Sequence, residues 1–506
     1  MFSTASKILF ILLLSLTEGY SQIAQSDRFE AEIKGRYDHY EIVPAGELGL
    51  LLIRKNEDIV EKNLVGWECV TLDTNLQKRR DDLIMTEYDY ELRGHDFYEG
   101  RLYLLFEMTT NVIADLSVVE FNVLTGVHKT SKIRKLFNIN LSEFEILGKN
   151  AILGGSVNLK PAVILSSLEE SKTRVLPGFY FERSQLLQIE VNDEARTIKV
   201  LTKVQFPGRR NQTINVRTFS SDGEMTENSN LRPDDKVSLL TGRIVNINSN
   251  VSLVAGTYGN RRSEFSRGIF LTRIDEGGDK TVLYYDYGDL ENFFSYMKAR
   301  RQEKIKDRIE RKKVRGKRAK FFYRLLVHDV IEYGGAFVLI GEAYYPRYNS
   351  YSSSGYWLNP YYPGRYSYTT FDGYKYTHAI VIGFDNKGRI LWNNSFEIKD
   401  AIMYSLEPLV EVSLNGDNIV LLYNYENVIR SKIVQGRDVV EGKEFNDISL
   451  KFQDDEVRNN DSDFGGLERW YDDTFYAYGI QKIWNDNEPG IKQSREVFFV
   501  NKIIYH

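Results

Sequence analysis

The side chains able to do chemistry in this sequence are dispersed. Six histidines, His39, His95, His128, His328, His378 and His506, show no metal-ligand spacing, and no His-Glu-x-x-His motif occurs. A Gly-x-Ser-x-Gly nucleophile elbow and a phosphate-cradling glycine loop are both missing. His95-Asp96 and His328-Asp329 are adjacent pairs, and neighbours on a strand point to opposite faces, so both read as structural. Asn459, Asp461 and Asp463 ahead of Gly465-Gly466 have the outline of a calcium loop. Phe464 stands where such a loop needs glycine, and an acidic surface turn is the better reading. Cys69 is the single cysteine, lies in the strand-like run WECVTL, and reads as a small buried hydrophobe. No catalytic residue, metal or cofactor is therefore expected. The one reaction left open is acid–base chemistry by a carboxylate pair in a central channel.

Binding chemistry is better represented. From Met297 to Lys320 there are 13 Lys/Arg against Glu303, Asp307 and Glu310, a net of +10. The whole chain is −5, so the remainder sums to −15. The whole segment from Leu290 to Lys320 lacks Pro and reads as helix as far as Gly316. Its apolar stripe of Leu290, Phe294, Met297, Ile305 and Ile309 is narrow, which predicts that most of the helix meets solvent. Asp307–Arg311 and Glu310–Lys313 have the spacing of helix-stabilising pairs. Lys304, Lys306, Arg308, Arg311, Lys312 and Lys313 are the candidate contacts to an anionic partner. The plainer alternative is a helix lying on its own acidic body. A second segment, Tyr344 to Tyr376, holds 11 Tyr with Trp357 and Phe371 among Ser, Gly, Asn and Pro. It reads as a loop inserted within one repeat. Tyr345, Tyr348, Tyr351, Tyr356, Trp357, Tyr361 and Tyr362 are its candidate recognition residues, because Tyr offers a large rigid surface with a polar tip. A self-packed aromatic seal is the alternative.

The elements that must hold these segments follow from a recurring apolar phrase. It reads ELGLLLIRK at Glu47, RLYLLFEMT at Arg101, AILGGSVN at Ala151, VSLVAGTYG at Val251, AFVLIGEAYY at Ala336, NIVLLYNYE at Asn418 and TFYAYGIQK at Thr474. A short strand and a turn at Gly148, Asn150, Gly334, Gly335, Asn415 or Gly416 precede it in the clearest copies. The apolar runs are nearly continuous, as expected of strands buried on both faces. A second hairpin follows, clearest in HAIVIGFDNKGRILWNNSF and also visible in LLQIEVNDEARTIKVLTKV. Four strands per unit at a spacing of about fifty residues predict an all-β propeller. The expected count is about seven blades, with six or eight also allowed. The long interval between Ala151 and Val251 requires inserts or a degenerate blade. The expected division is a signal peptide at 1–21, blades over 27–288, a basic helical insertion at 289–320, and blades over 321–506 carrying the Tyr-rich loop 344–376.

The hairpin from Ala379 to Trp392, with Phe384-Asp385, Gly388 and Trp392, resembles the outer hairpin of quinoprotein-type propellers. Looser copies lie at Asn122 to Gly126 and Asp73 to Asn75. They lack the Trp, and the chain has no vicinal cysteine pair, so the resemblance implies the fold and not a quinone. The chain also resembles secreted propeller-like proteins of Bacteroidota, a family that brings no established activity.

Lys7, the apolar run Ile8 to Leu16, and Gly19-Tyr20-Ser21 before Gln22 have the pattern of a cleaved secretory signal. No later stretch is long and apolar enough for a transmembrane helix. A cysteine-poor secreted chain fits a periplasm or bacterial cell surface. The sequence thus predicts a secreted, non-enzymatic binding or scaffolding propeller of the cell envelope. Its partners would be an envelope protein, an anionic envelope polymer or a membrane surface, with carbohydrate a further class. Nucleic acid is disfavoured by the export signal. The competing class is a propeller hydrolase acting on glycans or peptides.

Overall fold

Each of the seven apolar phrases folds as the second strand of a separate antiparallel sheet. In the computed structural model, residues 23–505 are described except 36–37, 111–114, 181–182, 209, 276–280, 355–364, 416–417, 437 and 488–491. The described residues form eight sheets, seven of four strands and one of six. In chain order, blades 1 to 5 span 41–87, 90–133, 140–175, 184–231 and 237–286. Blades 6 and 7 span 324–403 and 411–447. Blade 8 combines 456–505 with the N-terminal strand Ile23–Glu32.

The nearly continuous apolar runs have a simple cause. Alternate side chains of one strand enter different cores. In the strand Leu50–Glu61 of blade 1, Leu50 and Leu52 join a cluster shared with blade 8. Leu51 and Ile53 join the cluster shared with blade 2. Eight such clusters occur, each built from two neighbouring blades, so the cores close a ring. Fully burying one of these aliphatic side chains contributes about 1.5–3 kcal/mol. Polar side chains also latch neighbouring blades through backbone N–H groups. Ile146 N–H donates to Asp96 at 2.7 Å, Ile244 N–H to Gln188 at 2.8 Å, and Val410 N–H to Glu342 at 2.7 Å.

The ring is fastened by Ile23–Glu32, which pairs antiparallel with Ser494–Tyr505 as the outermost strand of blade 8. Its Arg28 donates to Asn501 and Gln481, each at 2.8 Å, and lies 4.4 Å from the Phe499 ring.

The architecture corrects three expectations. There are eight blades, one more than the expected seven and within the range of six to eight. The eighth occupies the interval between Ala151 and Val251 as a complete four-stranded sheet, blade 4. Its second strand, Thr197–Val204, carries Lys199 and Lys203 within its apolar run and so does not look like the other seven. The helix, here α1, spans Ala299–Val314 and does not begin at Leu290. Leu290, Phe293 and Phe294 instead plug the core between blades 5 and 6. The approach to α1 is bonded to the outer strand of blade 6, with Asn292 N–H on Asn393 at 2.8 Å and Tyr296 N–H on Ser395 at 3.0 Å. The Tyr-rich segment is not a loop. It extends the two middle strands of blade 6, Ala336–Ser354 and Arg365–Phe384, into a hairpin in register from Phe337↔Phe384 to Ser354↔Arg365.

The hairpin Ala379 to Trp392 forms the third and fourth strands of blade 6. Asp385 accepts the Lys387 and Arg389 N–H groups at 2.9 Å each, and Gly388 adopts φ +77° to complete the turn. A Cβ on Gly383 would lie 2.2 Å from the Trp392 ring, so the indole lies directly on the glycine.

Candidate functional site

Strand polarity decides which features share a face. Every blade has four main antiparallel strands, so inner strands all begin on the side where the preceding blade's outer strand ends. Turns between second and third strands lie on that same side, the upper face. The connection from blade 5 to blade 6, which contains α1, runs there. The extended hairpin projects from the same face, one blade further on. The two candidate contact segments therefore lie side by side.

α1 is held by its apolar stripe. Met297, Ile305 and Ile309 pack on the core between blades 5 and 6, and the Arg308 guanidinium lies 5.3 Å from the Phe321 ring. The helix ends in a Schellman motif. Gly316, at φ +63°, donates to the Lys313 carbonyl at 2.9 Å, and Lys317 N–H donates to the Lys312 carbonyl at 2.9 Å. The outward side carries Lys304, Lys306, Arg308, Arg311, Lys312 and Lys313, all exposed. Among the described residues none of the six forms an ion pair with a carboxylate. Arg311 reaches the Asp307 backbone carbonyl at 3.2 Å, not its carboxylate. Beyond the helix, Arg318 stands 3.6 Å from Asp286 and 3.9 Å from Asp289. The arm thus touches the propeller mainly through apolar side chains, with Arg308 over Phe321 and Arg318 at Asp286 as its charged contacts.

At the base of the hairpin, Tyr344, Tyr374 and Tyr376 pack on the core between blades 6 and 7, and Ile402–Met403 pairs with Lys375 and Tyr374 as a brace. Further out, Arg347 and Asp372 form an ion pair at 2.7 Å. Tyr345 and Tyr348 are 46% and 59% exposed. Tyr356, Trp357, Tyr361 and Tyr362, and the side chain of Tyr351, lie outside the described residues.

The inner strands bring together a group of carboxylates that no motif announced. Glu143 and Glu145 come from blade 3, Glu190 from blade 4, Asp329 from blade 6 and Glu411 from blade 7. Burial raises Glu145 to about 8, helped by the negative charges of Asp96, Glu143, Glu190 and Asp329. Those four groups belong to blades 2, 3, 4 and 6, so the side chains converge on the axis. Burial likewise brings Glu143, Glu190 and Glu411 to about 7. Arg243 supplies the opposing charge, 3.2 Å from Asp329. The only sequence trace of this channel is the spacing of Glu143 and Glu145, two apart on one strand face.

His328 and His378 are occupied structurally. His328 bonds the buried Glu342 at 2.8 Å, and the same Glu342 oxygen accepts Leu409 N–H at 2.9 Å. His378 stacks on Tyr296 at 3.7 Å, and burial lowers it to about 3. Cys69 is buried, and burial raises its thiol far above the usual range. Among the described residues no group of three or more His, Cys, Asp or Glu could hold a metal ion. No helix among them is long and apolar enough to cross a membrane.

Eight four-strand-based sheets in a ring, fastened by strand exchange between the two ends, define a β-propeller. No protein-family model matches the sequence, and no curated protein does. Solved structures with a similar fold include the β-propeller domain of the Trilobed protease from Pyrococcus furiosus, at 10% identity and TM-score 0.37, covering 79% of this chain and 94% of that one. A polysaccharide lyase is similar at 10% identity and TM-score 0.41 over 83% of this chain and 93% of that one. A prolyl endopeptidase is similar at 10% identity and TM-score 0.39 over 81% of this chain, and the match spans half of that enzyme's length. At these scores the likeness carries no functional argument.

Proposed function

We propose that the chain is a non-catalytic binding propeller of the bacterial cell envelope that docks an anionic envelope polymer against its upper face at blades 5 and 6. The observation that carries this reading is the outward side of α1, whose six candidate cations have no carboxylate partner among the described residues. Such a field attracts polyanions over roughly a Debye length, about 8–10 Å at 0.1–0.15 M salt. The neighbouring hairpin adds exposed Tyr345 and Tyr348 as rigid contact area.

Reversal of Lys304, Lys306, Arg308, Arg311, Lys312 and Lys313 to Glu tests the reading. Retention on immobilised lipopolysaccharide should disappear, and retention of the unaltered chain should fall steeply with salt. The melting temperature should fall only slightly, because these side chains make no ion pair with the body and only Arg308, over Phe321, touches it. Retention on phosphatidylglycerol vesicles equal to that on lipopolysaccharide would move the partner from polymer to membrane surface. Undiminished retention after reversal would refute the reading.

A second reading has one observation in its favour. Glu145, held protonated near neutral pH by burial and neighbouring charge, meets the requirement for a general acid in glycan cleavage. Activity on pooled polysaccharides, abolished by Glu145→Gln, would establish a propeller hydrolase instead.

A further inference from the structure

A cavity of about 690 Å³ opens on the upper face where blades 4, 5 and 6 meet. That volume lies within the range of about 300–1,000 Å³ that encloses small organic ligands. Five cations line it, Lys203, Arg210, Arg243, Arg262 and Arg324, against one lining carboxylate, Glu264. They come from separate places: the end of the second strand of blade 4, the next turn, the inner strand of blade 5, its upper turn, and the first residue of blade 6. Folding therefore gathers charges that are dispersed in sequence.

Three of the five, Lys203, Arg210 and Arg262, have no ion-pair partner among the described residues. Arg324 pairs with Glu264 at 3.2 Å, and Arg243 with Asp329 at 3.2 Å. Both carboxylates are themselves largely exposed, at 83% and 75%. Arg262 is set in the left-handed region at φ +70°, a conformation that a non-glycine residue adopts at a cost. Half-buried Lys203 has its pKa lowered by burial, and it would regain stabilisation from an incoming anion.

We infer that this cavity is a binding site for an acidic oligosaccharide, with the carboxylate or sulfate of each sugar unit taken by the converging Arg and Lys side chains. Planar guanidinium groups match such anions in two-point contacts. The remaining lining is of the kind that meets sugar hydroxyls: Gln185 and Gln212 supply donors and acceptors, and Tyr344 with Leu325 supplies apolar wall. Nucleic acid would need several free aromatic faces for base stacking. Tyr344 is the only aromatic among the described lining residues, and it is engaged edge-on with Tyr374 at 5.7 Å. The inference deepens the reading of the upper face as a polyanion-binding surface and rests on it, yet it concerns residues outside α1.

The test is titration calorimetry of the full chain with tetrasaccharides of galacturonate, alginate and chondroitin sulfate. The methyl ester of the galacturonate oligomer serves as its uncharged counterpart. At least one acidic oligosaccharide should bind in a salt-sensitive manner, and the ester should not. Combined Arg210→Glu and Arg262→Glu, both at exposed positions, should weaken binding roughly tenfold or more. Lys203→Gln should weaken it without charge reversal. The six-residue reversal in α1 should leave oligosaccharide affinity within about twofold while abolishing retention on polymer. No binding of any acidic oligosaccharide, equal binding of the ester, or equal binding of inorganic phosphate or polyglutamate would overturn the inference. Loss of oligosaccharide binding on reversal of α1 alone would overturn it and leave the role of α1 intact.

Discussion

At the scale of single residues, the axial glutamates make the protein sensitive to pH in a direction that can be worked out. Glu143 and Glu190 rise to about 7 and Glu145 to about 8, from an ordinary value of 4.5. Between those limits the folded chain holds protons that the unfolded chain has released. Stability from these groups is therefore full below pH 4.5 and declines as pH rises through 7 and 8. Paired carboxylates such as Asp455, lowered through its bonds to Arg495 and Asn485 despite burial, act only at the acid end and do not offset this. The urea midpoint should be higher at pH 5 than at pH 8, and Glu145→Gln should raise the midpoint at pH 8 and flatten the slope. A profile indifferent to that substitution would remove the argument. Gly383→Ala makes a separate prediction. The added methyl meets the Trp392 ring, and overpacking of this kind costs about 1–3 kcal/mol. Trp fluorescence and the melting temperature should both shift. The turn residues Asp385 and Gly388 were legible in sequence because turn chemistry is local. The channel was not, because Glu145 owes its character to residues as distant in sequence as Asp329.

At the scale of elements, the strands that sequence reading found are those whose second strand is uninterrupted. Blade 4 was visible only as the hairpin LLQIEVNDEARTIKVLTKV, read as an outer hairpin although it forms the first two strands of the blade, because Lys199 and Lys203 interrupt the apolar run of its second strand. The interruption has a physical basis in both cases. Lys199 Nζ is satisfied inside the fold by Asn246 at 2.6 Å and Ser252 at 2.5 Å, and Lys203 opens onto the upper-face cavity. The break in the pattern thus marked a site, which is where local rules are expected to fail. The Tyr-rich segment misled for a different reason. Its Ser, Gly and Tyr composition is that of a loop, while pairing with the strand opposite is set by blade 6 below it. Of the described side chains outward of the Pro346–Tyr374 pair, none enters a core cluster. Replacing 348–371 by Asn-Gly, which suits a two-residue hairpin turn between the paired Arg347 and Asp372, should keep the melting temperature within a few degrees. A large drop would show that the hairpin seals the propeller and is not a free contact surface.

At the scale of the whole molecule, stability depends on closure, because every core is shared between two blades and a ring has no end blade until it is opened. The run IAQSDRFEAE, part of which falls within the expected blades over 27–288, was not recognised as the outer strand of the last blade. It lacks the apolar phrase, and its partner Ser494–Tyr505 is the last strand of the chain. Its anchoring is specific. Arg28 reaches Gln481, Asn501 and the Ser449 carbonyl, and the buried Arg495–Asp455 pair at 2.6 Å stands beside Glu30. Removing residues 22–33 would strip Ile23 and Ile33 from two neighbouring cores and leave Ser494–Tyr505 as an unpaired edge. An exposed edge of this length templates association with other chains. The truncated protein should therefore melt several degrees lower and show concentration-dependent association by light scattering. Arg28→Met, which keeps the strand and loses only its polar anchors, should lower the melting temperature less and leave the protein monodisperse. If the truncated chain instead melts with the full-length one and does not associate, the inter-blade cores hold the ring by themselves and the N-terminal strand is ornament to the fold.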